Sequence, residues 1–178
     1  DIQPSTRKYP YVGFKADREA GDNLLRVEDL VVSLEGKKII NKVSFTIKKG
    51  QKVVFLANSE VATTALFKVL MGEMEPDSGK FEWGITTTRG YLPNDNSSYF
   101  KDSTLDLINW LRQYSKDQSE SFLRGFLGRM LFSGEEALKK CNVLSGGEKV
   151  RCMLSKIMLS GSNVLVFDNP TNHLDLET

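Results

Sequence analysis

Cysteine and histidine are scarce in this chain of 178 residues, which contains only Cys141, Cys152 and His173. The two cysteines form no CxxC pattern, and with one histidine they make no credible zinc site. The same scarcity leaves no Cys/His pair and no catalytic triad. Cysteine usage of this kind is typical of a reduced, cytoplasmic protein.

Long apolar runs and a strong net charge are also absent. Apolar stretches such as residues 53–57 are too short to span a bilayer, and the polar start at residues 1–5 is not a signal peptide. Lys and Arg total 24 against 23 Asp and Glu, so the formal charge of +1 indicates neither a polyanion nor an anionic membrane as partner. The length predicts one domain with a real core. Because the chain lacks an initiator Met and stops where a helix is expected to start, we expect a piece of a longer protein.

The first 20 residues are polar, with Tyr9, Tyr11 and Phe14 placed among basic residues. Such interleaving can contact RNA. One short cluster is weak evidence, however, and we favour an arm whose aromatic rings pack on the domain. We therefore predict a linker at residues 1–20 and a folded domain, incomplete at its C-terminal end, at residues 21–178.

Hydrophobic patterning predicts a mixed α/β fold. Strands are expected at residues 24–32, 43–47, 52–56, 80–83, 89–92 and 163–167, the third and last being buried. Apolar residues at helical spacing predict helices around residues 66–70, 105–111 and 122–131. Two capping-box patterns, Ser133 with Glu136 and Ser145 with Glu148, predict further helix starts, and the second opens a long run to Leu159.

Two segments in the last third of the chain are candidates for chemistry. Ser145, Gly146, Gly147 and Glu148 begin a predicted helix, whose bare amides and positive dipole end suit a phosphate. The strand before Asp168 delivers a carboxylate to its C-terminal end, where open α/β sheets bind ligands. An Asp placed in this way holds the Mg²⁺ of a nucleotide. Each feature alone is also compatible with a capped helix or an ordinary strand end.

In this order and at this distance, the two segments resemble the nucleotide-binding domain of ABC ATPases. The runs LSGGE (144–148) and NPTNHLD (169–175) are most similar to the ABC-F group, which comprises translation-associated ATPases with two cassettes. The chain resembles most the C-terminal cassette of a bacterial ABC-F protein. The resemblance implies a P-loop NTPase-like α/β fold with an antiparallel β part and a helical subdomain. It further implies ATP and Mg²⁺ as cofactors, and the N-terminal cassette of the same chain and the ribosome as partners.

The Walker A pattern G-x-x-x-x-G-K-[ST], expected after residue 56, is altered. Both glycines are replaced by alanine, which hinders close backbone approach, and Thr63 stands where a lysine should hold phosphate. Glu60 adds a negative charge there, and only Thr64 keeps the hydroxyl expected to bind Mg²⁺ together with Asp168. The whole segment consists of Ala57, Asn58, Ser59, Glu60, Val61, Ala62, Thr63 and Thr64.

Three further positions implied by the resemblance are altered. Leu34 stands at the aromatic residue that stacks on adenine, Asn94 at the Q-loop glutamine, and Asn169 at the glutamate that polarises water. Asn169 cannot act as a general base, so no catalytic residue is expected in cis. The switch histidine of the family is expected beyond residue 178 and is not His173. We therefore expect weak or absent Mg-ATP binding by the isolated fragment.

The leading hypothesis is a cassette that completes the ATP site of its partner in trans through its signature segment. Two alternatives remain. One is a non-catalytic docking module for the ribosome or another partner, which a signature mutation would distinguish. The other is a transporter cassette, which the NPTNHLD run disfavours and the neighbouring sequence would decide.

Overall fold

The computed structural model describes residues 8–102 and 104–170 of the chain. This part of the chain divides into two compact units. The sheet unit contains residues 16–94 and 162–170, and the helical unit contains residues 8–15 and 95–161. None of the helices in the described ranges is long and apolar enough to cross a membrane.

An antiparallel sheet forms one part of the sheet unit. Strands β1 (Asn23–Leu34) and β2 (Lys37–Lys48) form a hairpin, and β3 (Ser78–Trp83) pairs with the other edge of β1. The hairpin turn has φ of 50° at Glu35 and 77° at Gly36, positive at both positions, which fits the twist of the flanking strands. The predicted strands are confirmed here, although β2 begins several residues earlier than predicted.

Helix α1 (Glu60–Leu70) packs its apolar face on this sheet. As the apolar spacing predicts, the helix ends just before Gly72, whose φ is 77°. The shared core buries apolar side chains from the first two strands and the helix, and this burial is the main stabilising term for the unit. The core residues are Leu25, Val27, Leu30, Val32, Ile40, Ala65, Leu66, Val69 and Leu70.

Two parallel strands form the second sheet of this unit. Strand β4 (Arg89–Leu92) has the predicted bounds, and β5 (Val164–Phe167) lies beside it. The amide of Asp168 donates to the carbonyl of Leu92 at 2.9 Å, so the ladder continues one residue past β5 and holds the backbone at Asp168. The strand is only partly buried, with Leu165 38% exposed, so the prediction of a buried strand here is wrong in part.

The strand predicted at residues 52–56 does not form. These residues have no regular secondary structure, and Val54 and Leu56 are 80% and 92% exposed. A strand exists only through backbone pairing with a neighbour, and within the described ranges no segment pairs with residues 52–56. The apolar run alone therefore could not decide the structure.

The helical unit contains α2 (Leu107–Arg112), α3 (Glu120–Arg129) and α4 (Gly146–Ser160). Asp106 caps α2 by accepting a hydrogen bond from the amide of Asn109 at 2.8 Å. Three short 3₁₀ turns complete the unit, at Ser97–Phe100, Glu136–Leu138 and Cys141–Val143. The largest fully buried side chains here are Trp110, Leu107, Leu111, Leu123, Leu127, Met130 and Met153.

Two predicted helices in this unit differ from the structure: α3 has the predicted length of ten residues but lies two residues earlier, and the short helix predicted after Ser133 is reduced to a turn. Helix α3 ends at Arg129, and Leu131 has a φ of 65°, which cannot continue a right-handed helix. The Ser133 and Glu136 capping pair forms both of its hydrogen bonds, at 2.6 and 3.4 Å. This capping pair is followed only by a three-residue 3₁₀ turn, however. A cap satisfies the first amides of a helix but does not make the following residues helical.

The arm preceding the sheet unit is attached through its backbone. The amide of Tyr11 donates to the carbonyl of Arg129 at 3.0 Å, and the amide of Gly13 to the sulfur of Met158 at 3.2 Å. The rings of Tyr9 and Tyr11, in contrast, are on residues 61% and 64% exposed. The expectation that the aromatic rings of the arm pack on the domain is therefore wrong for Tyr9 and Tyr11, whereas Phe14 is half-buried. Hydrogen bonds from the backbone amides hold this part of the arm.

Gly79 provides a test of this fold. Its φ is +85°, and a Cβ atom there would lie 2.4 Å from the carbonyl oxygen of Asp29 in the neighbouring strand. Gly72 has a similar φ of +77° but open space around it. We expect Gly72→Ala to cost about 1 kcal/mol and Gly79→Ala at least about 3 kcal/mol, measured by urea unfolding. Equal losses for the two variants would contradict the close approach of β1 and β3.

Candidate functional site

The LSGGE segment lies at the start of α4 in the helical unit. Ser145 is the N-cap residue, and its hydroxyl accepts a hydrogen bond from the amide of Glu148 at 3.2 Å. The Glu148 carboxylate in return accepts from the amide of Ser145 at 3.0 Å, so the predicted capping box is confirmed. Ser145 and Gly146 are exposed. The cap thus uses the Glu148 amide and leaves the first turn with two glycines and no bulky side chain.

The carboxylate of Glu148 is itself turned into the protein. Glu148 is 9% exposed, and the Nζ atom of Lys139 lies 3.1 and 3.0 Å from its two oxygens. Burial raises the pKa of Glu148, but hydrogen bonds from the Ser145 amide and from Lys139 outweigh it and hold the pKa below its ordinary value. The side chain is therefore ionised and held within the helical unit.

The altered Walker A segment lies in the sheet unit and is helical over much of its length. Helix α1 begins at Glu60, with Ser59 as an N-cap residue that makes no side-chain cap. Glu60 therefore lies in the first turn of the helix. In an unaltered Walker A segment, this region provides the backbone amides that bind phosphate. The hydroxyl of Thr63 donates to the carbonyl of Glu60 at 3.0 Å, so it bonds to its own helix.

The structure brings Thr64 and Asp168 together. The Thr64 hydroxyl donates to the Asp168 carboxylate at 2.8 Å, although the residues are far apart in sequence. Asp168 is 3% exposed, and this burial raises its pKa, with Glu60 adding to the rise. The Thr64 hydroxyl, the Asn94 amide and Lys68 act in the opposite direction. A hydroxyl and a carboxylate of this kind are hard oxygen donors, which fit a Mg²⁺ ion shared with phosphate.

Asn169 contacts the altered Walker A segment directly. Its side-chain amide donates to the carboxylate of Glu60 at 3.3 Å. Asn169 has a φ of 50°, a left-handed conformation that asparagine tolerates better than most residues. Glu60, which adds a negative charge to the altered segment, and Asn169, the neutral residue at the glutamate position, are therefore hydrogen-bonded partners.

A cleft of about 250 Å³ in the sheet unit gathers several of the predicted positions. Leu34 and Asn94 line it, together with the Glu60, Val61 and Thr64 face of α1. Sequence reasoning missed three further lining residues, Ala65, Lys68 and Met74. Lys68 follows Thr64 by one helical turn, and that i, i+4 spacing was the signal that could have found it. Ala57, Asn58, Ser59, Ala62 and Thr63 do not line the cleft.

Comparison with known proteins decides the family. The ABC transporter family profile matches residues 40–172, which include both candidate segments. This chain belongs to the ABC transporter family. It has the ABC cassette fold, with an antiparallel sheet and a set of helices, as predicted.

Two curated relatives support the assignment. The uncharacterized ABC transporter ATP-binding protein YkpA of Bacillus subtilis (strain 168) is 62% identical over 179 residues, covering 100% of this chain and 33% of that protein. An ABC-F relative, the energy-dependent translational throttle protein EttA of Haemophilus influenzae, is 33% identical over 165 residues, covering 89% of this chain and 29% of EttA. This chain spans between 25% and 34% of the length of the curated relatives that it matches.

A solved structure shows the same fold. The dimeric structure of MJ0796, a bacterial ABC transporter cassette, aligns with a TM-score of 0.67 at 15% identity, covering 86% of this chain and 77% of that one. At this identity the likeness concerns the fold alone. ABC cassettes bind ATP with Mg²⁺, and the Thr64 hydroxyl and the Asp168 carboxylate are oxygen donors of a kind that fits the ion.

The raised pKa of Asp168 gives a testable pH dependence. The folded chain holds this proton more tightly than the unfolded chain does, so the carboxyl contributes most to stability at low pH. That contribution is lost as pH rises from about 3.9, the ordinary aspartate pKa, through the raised folded value. We expect Asp168→Asn to gain stability relative to the wild type as pH rises from 4 to 7 in urea unfolding. Thr64→Val removes a hydrogen bond to the carboxylate, so its free energy of unfolding should fall more steeply with rising pH than that of the wild type. A parallel pH dependence for Asp168→Asn and the wild type would contradict the assignment.

Asn169→Glu should destabilise the chain through charge. The new carboxylate lies beside Glu60, and the donated hydrogen bond is lost. Asn169→Gln is the matched control, since it has the same length and the same backbone strain without the charge. We expect Asn169→Glu to be less stable than Asn169→Gln by about 0.5–1 kcal/mol at pH 7 and low salt, and the gap to shrink at high salt. A gap that survives in the Glu60→Gln background would show that Glu60 is not the cause.

Proposed function

We propose that this chain is the second nucleotide-binding domain of an ABC-F type ATPase and completes the ATP site of a partner cassette in trans. The observation that carries the proposal is that the N-termini of α4 and α1 differ in how well they can accept a phosphate. Both first turns contain a carboxylate. That of Glu148 in α4 is turned inward onto the Ser145 amide and the Lys139 ammonium. That of Glu60 in α1, in contrast, meets a neutral group, the amide of Asn169. The α4 terminus, with its two glycines and a compensated carboxylate, therefore suits an incoming phosphate better than the α1 terminus does.

Several contacts argue against a working nucleotide site at α1. Glu60 interacts favourably with the helix dipole and would repel a phosphate. Thr63 bonds to its own helix and offers no ammonium group. Asn169 donates its amide to Glu60, and a neutral amide cannot take a proton from water. These features favour weak Mg-ATP binding and no turnover at this chain's own cleft.

The start of α4 has the properties that a phosphate contact requires. Its 15 residues give a complete helix dipole, and Ser145 at the cap is exposed. Because Gly146 and Gly147 lack Cβ atoms, a phosphate held by another cassette can approach their amides closely. Ser145 can donate its hydroxyl proton to the same oxygen atoms.

The chemistry that such a shared site would support is transfer of the γ-phosphoryl group of ATP to water, which would release ADP and phosphate. The role of this chain is electrostatic and positional. Ser145 and the amides of the first turn stabilise the negative charge on the phosphoryl oxygens. Thr64 and Asp168 would hold Mg²⁺ if nucleotide entered this chain's own cleft.

The relatives favour a place in translation. EttA is named as an energy-dependent translational throttle, and its similarity to this chain supports the ribosome as a partner. Coverage of about a third of two relatives supports the proposal that the partner cassette lies elsewhere in a longer chain. We place this protein in the cytoplasm, where ribosomes work.

A docking module without a role in turnover is a second candidate. The exposed rings of Tyr9 and Tyr11, at 61% and 64%, favour it, because aromatic side chains beside basic ones can contact RNA. The two candidates differ in what a change at the start of α4 does to hydrolysis.

Substitution of Ser145 tests the proposal. Ser145→Arg places a bulky side chain where a phosphate has to approach the first turn of α4. We expect hydrolysis by the full-length protein to fall by about tenfold or more, and association of the two cassettes to weaken. The matched change Thr63→Ala should leave turnover within about twofold, because the cleft at α1 is proposed to be idle.

The stability cost of losing the cap is measured separately. Ser145→Ala should cost about 1 kcal/mol in thermal unfolding, since it removes the acceptor for the Glu148 amide. If Ser145→Arg is folded and fully active, the docking module is favoured. If Thr63→Ala is the damaging change, the proposed roles of the two helices are reversed.

A further inference from the structure

The Glu148 carboxylate of the LSGGE segment has a charged partner, Lys139, in addition to the amide that it caps. The Ser145 amide already occupies one oxygen of Glu148, at 3.0 Å. The ammonium of Lys139 also lies within 3.1 Å of both oxygens. The side chain of Glu148 is 11% exposed and that of Lys139 is 38% exposed, so the pair is partly shielded from water.

A carboxylate at this position has two opposite effects on the first turn of α4. It stabilises the helix through the capping box and the dipole. It also places a negative charge within a helical turn of the amides that a phosphate would approach. An ammonium bound to both oxygens offsets that charge at short range, and it orients the carboxylate towards Ser145.

We propose that Lys139 is a positioning residue for the nucleotide contact of the LSGGE segment, acting through Glu148. The inference rests on the proposed function, because it assigns the contact to ATP held by a partner cassette. It gives Glu148 the role of an internal support rather than a direct ligand of nucleotide.

The other charged groups of this region have different partners. Lys140 donates to the carbonyl of Thr104 at 2.8 Å, and Arg151 to the carbonyl of Met130 at 3.0 Å. Lys149 lies over the ring of Phe100. The carboxylate of Glu136 accepts from the Ser133 amide, at 2.6 Å. Among the ion pairs of the described residues, Lys139 is therefore the partner of Glu148.

The experiment compares four variants of the full-length protein. Lys139→Met removes the charge at similar length, and Lys139→Arg keeps a cation. Lys140→Met is the matched control, since it removes the neighbouring ammonium without touching Glu148. The double variant Lys139→Met with Glu148→Gln keeps an acceptor for the Ser145 amide and removes the uncompensated charge.

Hydrolysis kinetics give the first measurement. We expect Lys139→Met to lower kcat/KM for ATP by about tenfold, mainly through a higher KM, because the uncompensated carboxylate repels nucleotide. The defect should shrink with added salt and should be largely relieved in the double variant. Lys139→Arg and Lys140→Met should stay within about twofold of the wild type.

Titration of Glu148 gives the second measurement, which needs no nucleotide. Its carboxyl resonance, identified by its loss in Glu148→Gln, should titrate at higher pH in Lys139→Met and at the wild-type pH in Lys140→Met. An unchanged titration in Lys139→Met overturns the inference.

Ser145→Arg separates the possible failures. If Lys139→Met shifts the titration but leaves hydrolysis unchanged at all salt concentrations, while Ser145→Arg abolishes hydrolysis, the inference fails and the proposed function stands. If Ser145→Arg is also fully active, the proposed function fails, and the inference fails with it.

Discussion

The first amides of an α-helix have no carbonyl partners within the helix, and something outside the helix must satisfy them. Both candidate sites of this chain depend on how that is done. At α4, Ser145 and Glu148 satisfy each other's amides, Lys139 compensates the Glu148 carboxylate, and two glycines leave the positively polarised end without bulky side chains. At α1, Ser59 makes no side-chain cap, and Glu60 brings a carboxylate into the first turn.

Buried charge adds a second constraint, which links α1 to the residues that follow β5. Asp168 is 3% exposed and is supported by the Thr64 hydroxyl, at 2.8 Å. A further carboxylate nearby is costly for such a group. The amide of Asn169 next to Glu60 avoids this cost, whereas a glutamate at position 169 would bring three carboxylates together. The altered residues at positions 60 and 169 therefore make physical sense as a pair.

The sequence predicted several elements because their causes are local. Strand β4 has the predicted bounds at residues 89–92, and the capping box of α4 joins residues three positions apart. The strand predicted at residues 52–56 failed because its apolar pattern says nothing about a pairing partner. The packing expected for Tyr9 and Tyr11 failed for a similar reason, since backbone hydrogen bonds fix the arm and leave the rings exposed. In both cases the residues are apolar or aromatic, as the prediction required, but the groups that they would have to pair or pack with are not determined by the neighbouring sequence.

By itself, the sequence determined the helix that starts at Gly146, the strand that ends before Asp168, and the family to which the chain belongs. Only the tertiary structure decided that Thr64 bonds to Asp168, that Asn169 bonds to Glu60, and that Lys139 neutralises Glu148. The reason is physical: caps and turns depend on neighbours in the chain, whereas a buried carboxylate takes its partner and its pKa from whatever the fold brings within hydrogen-bond distance.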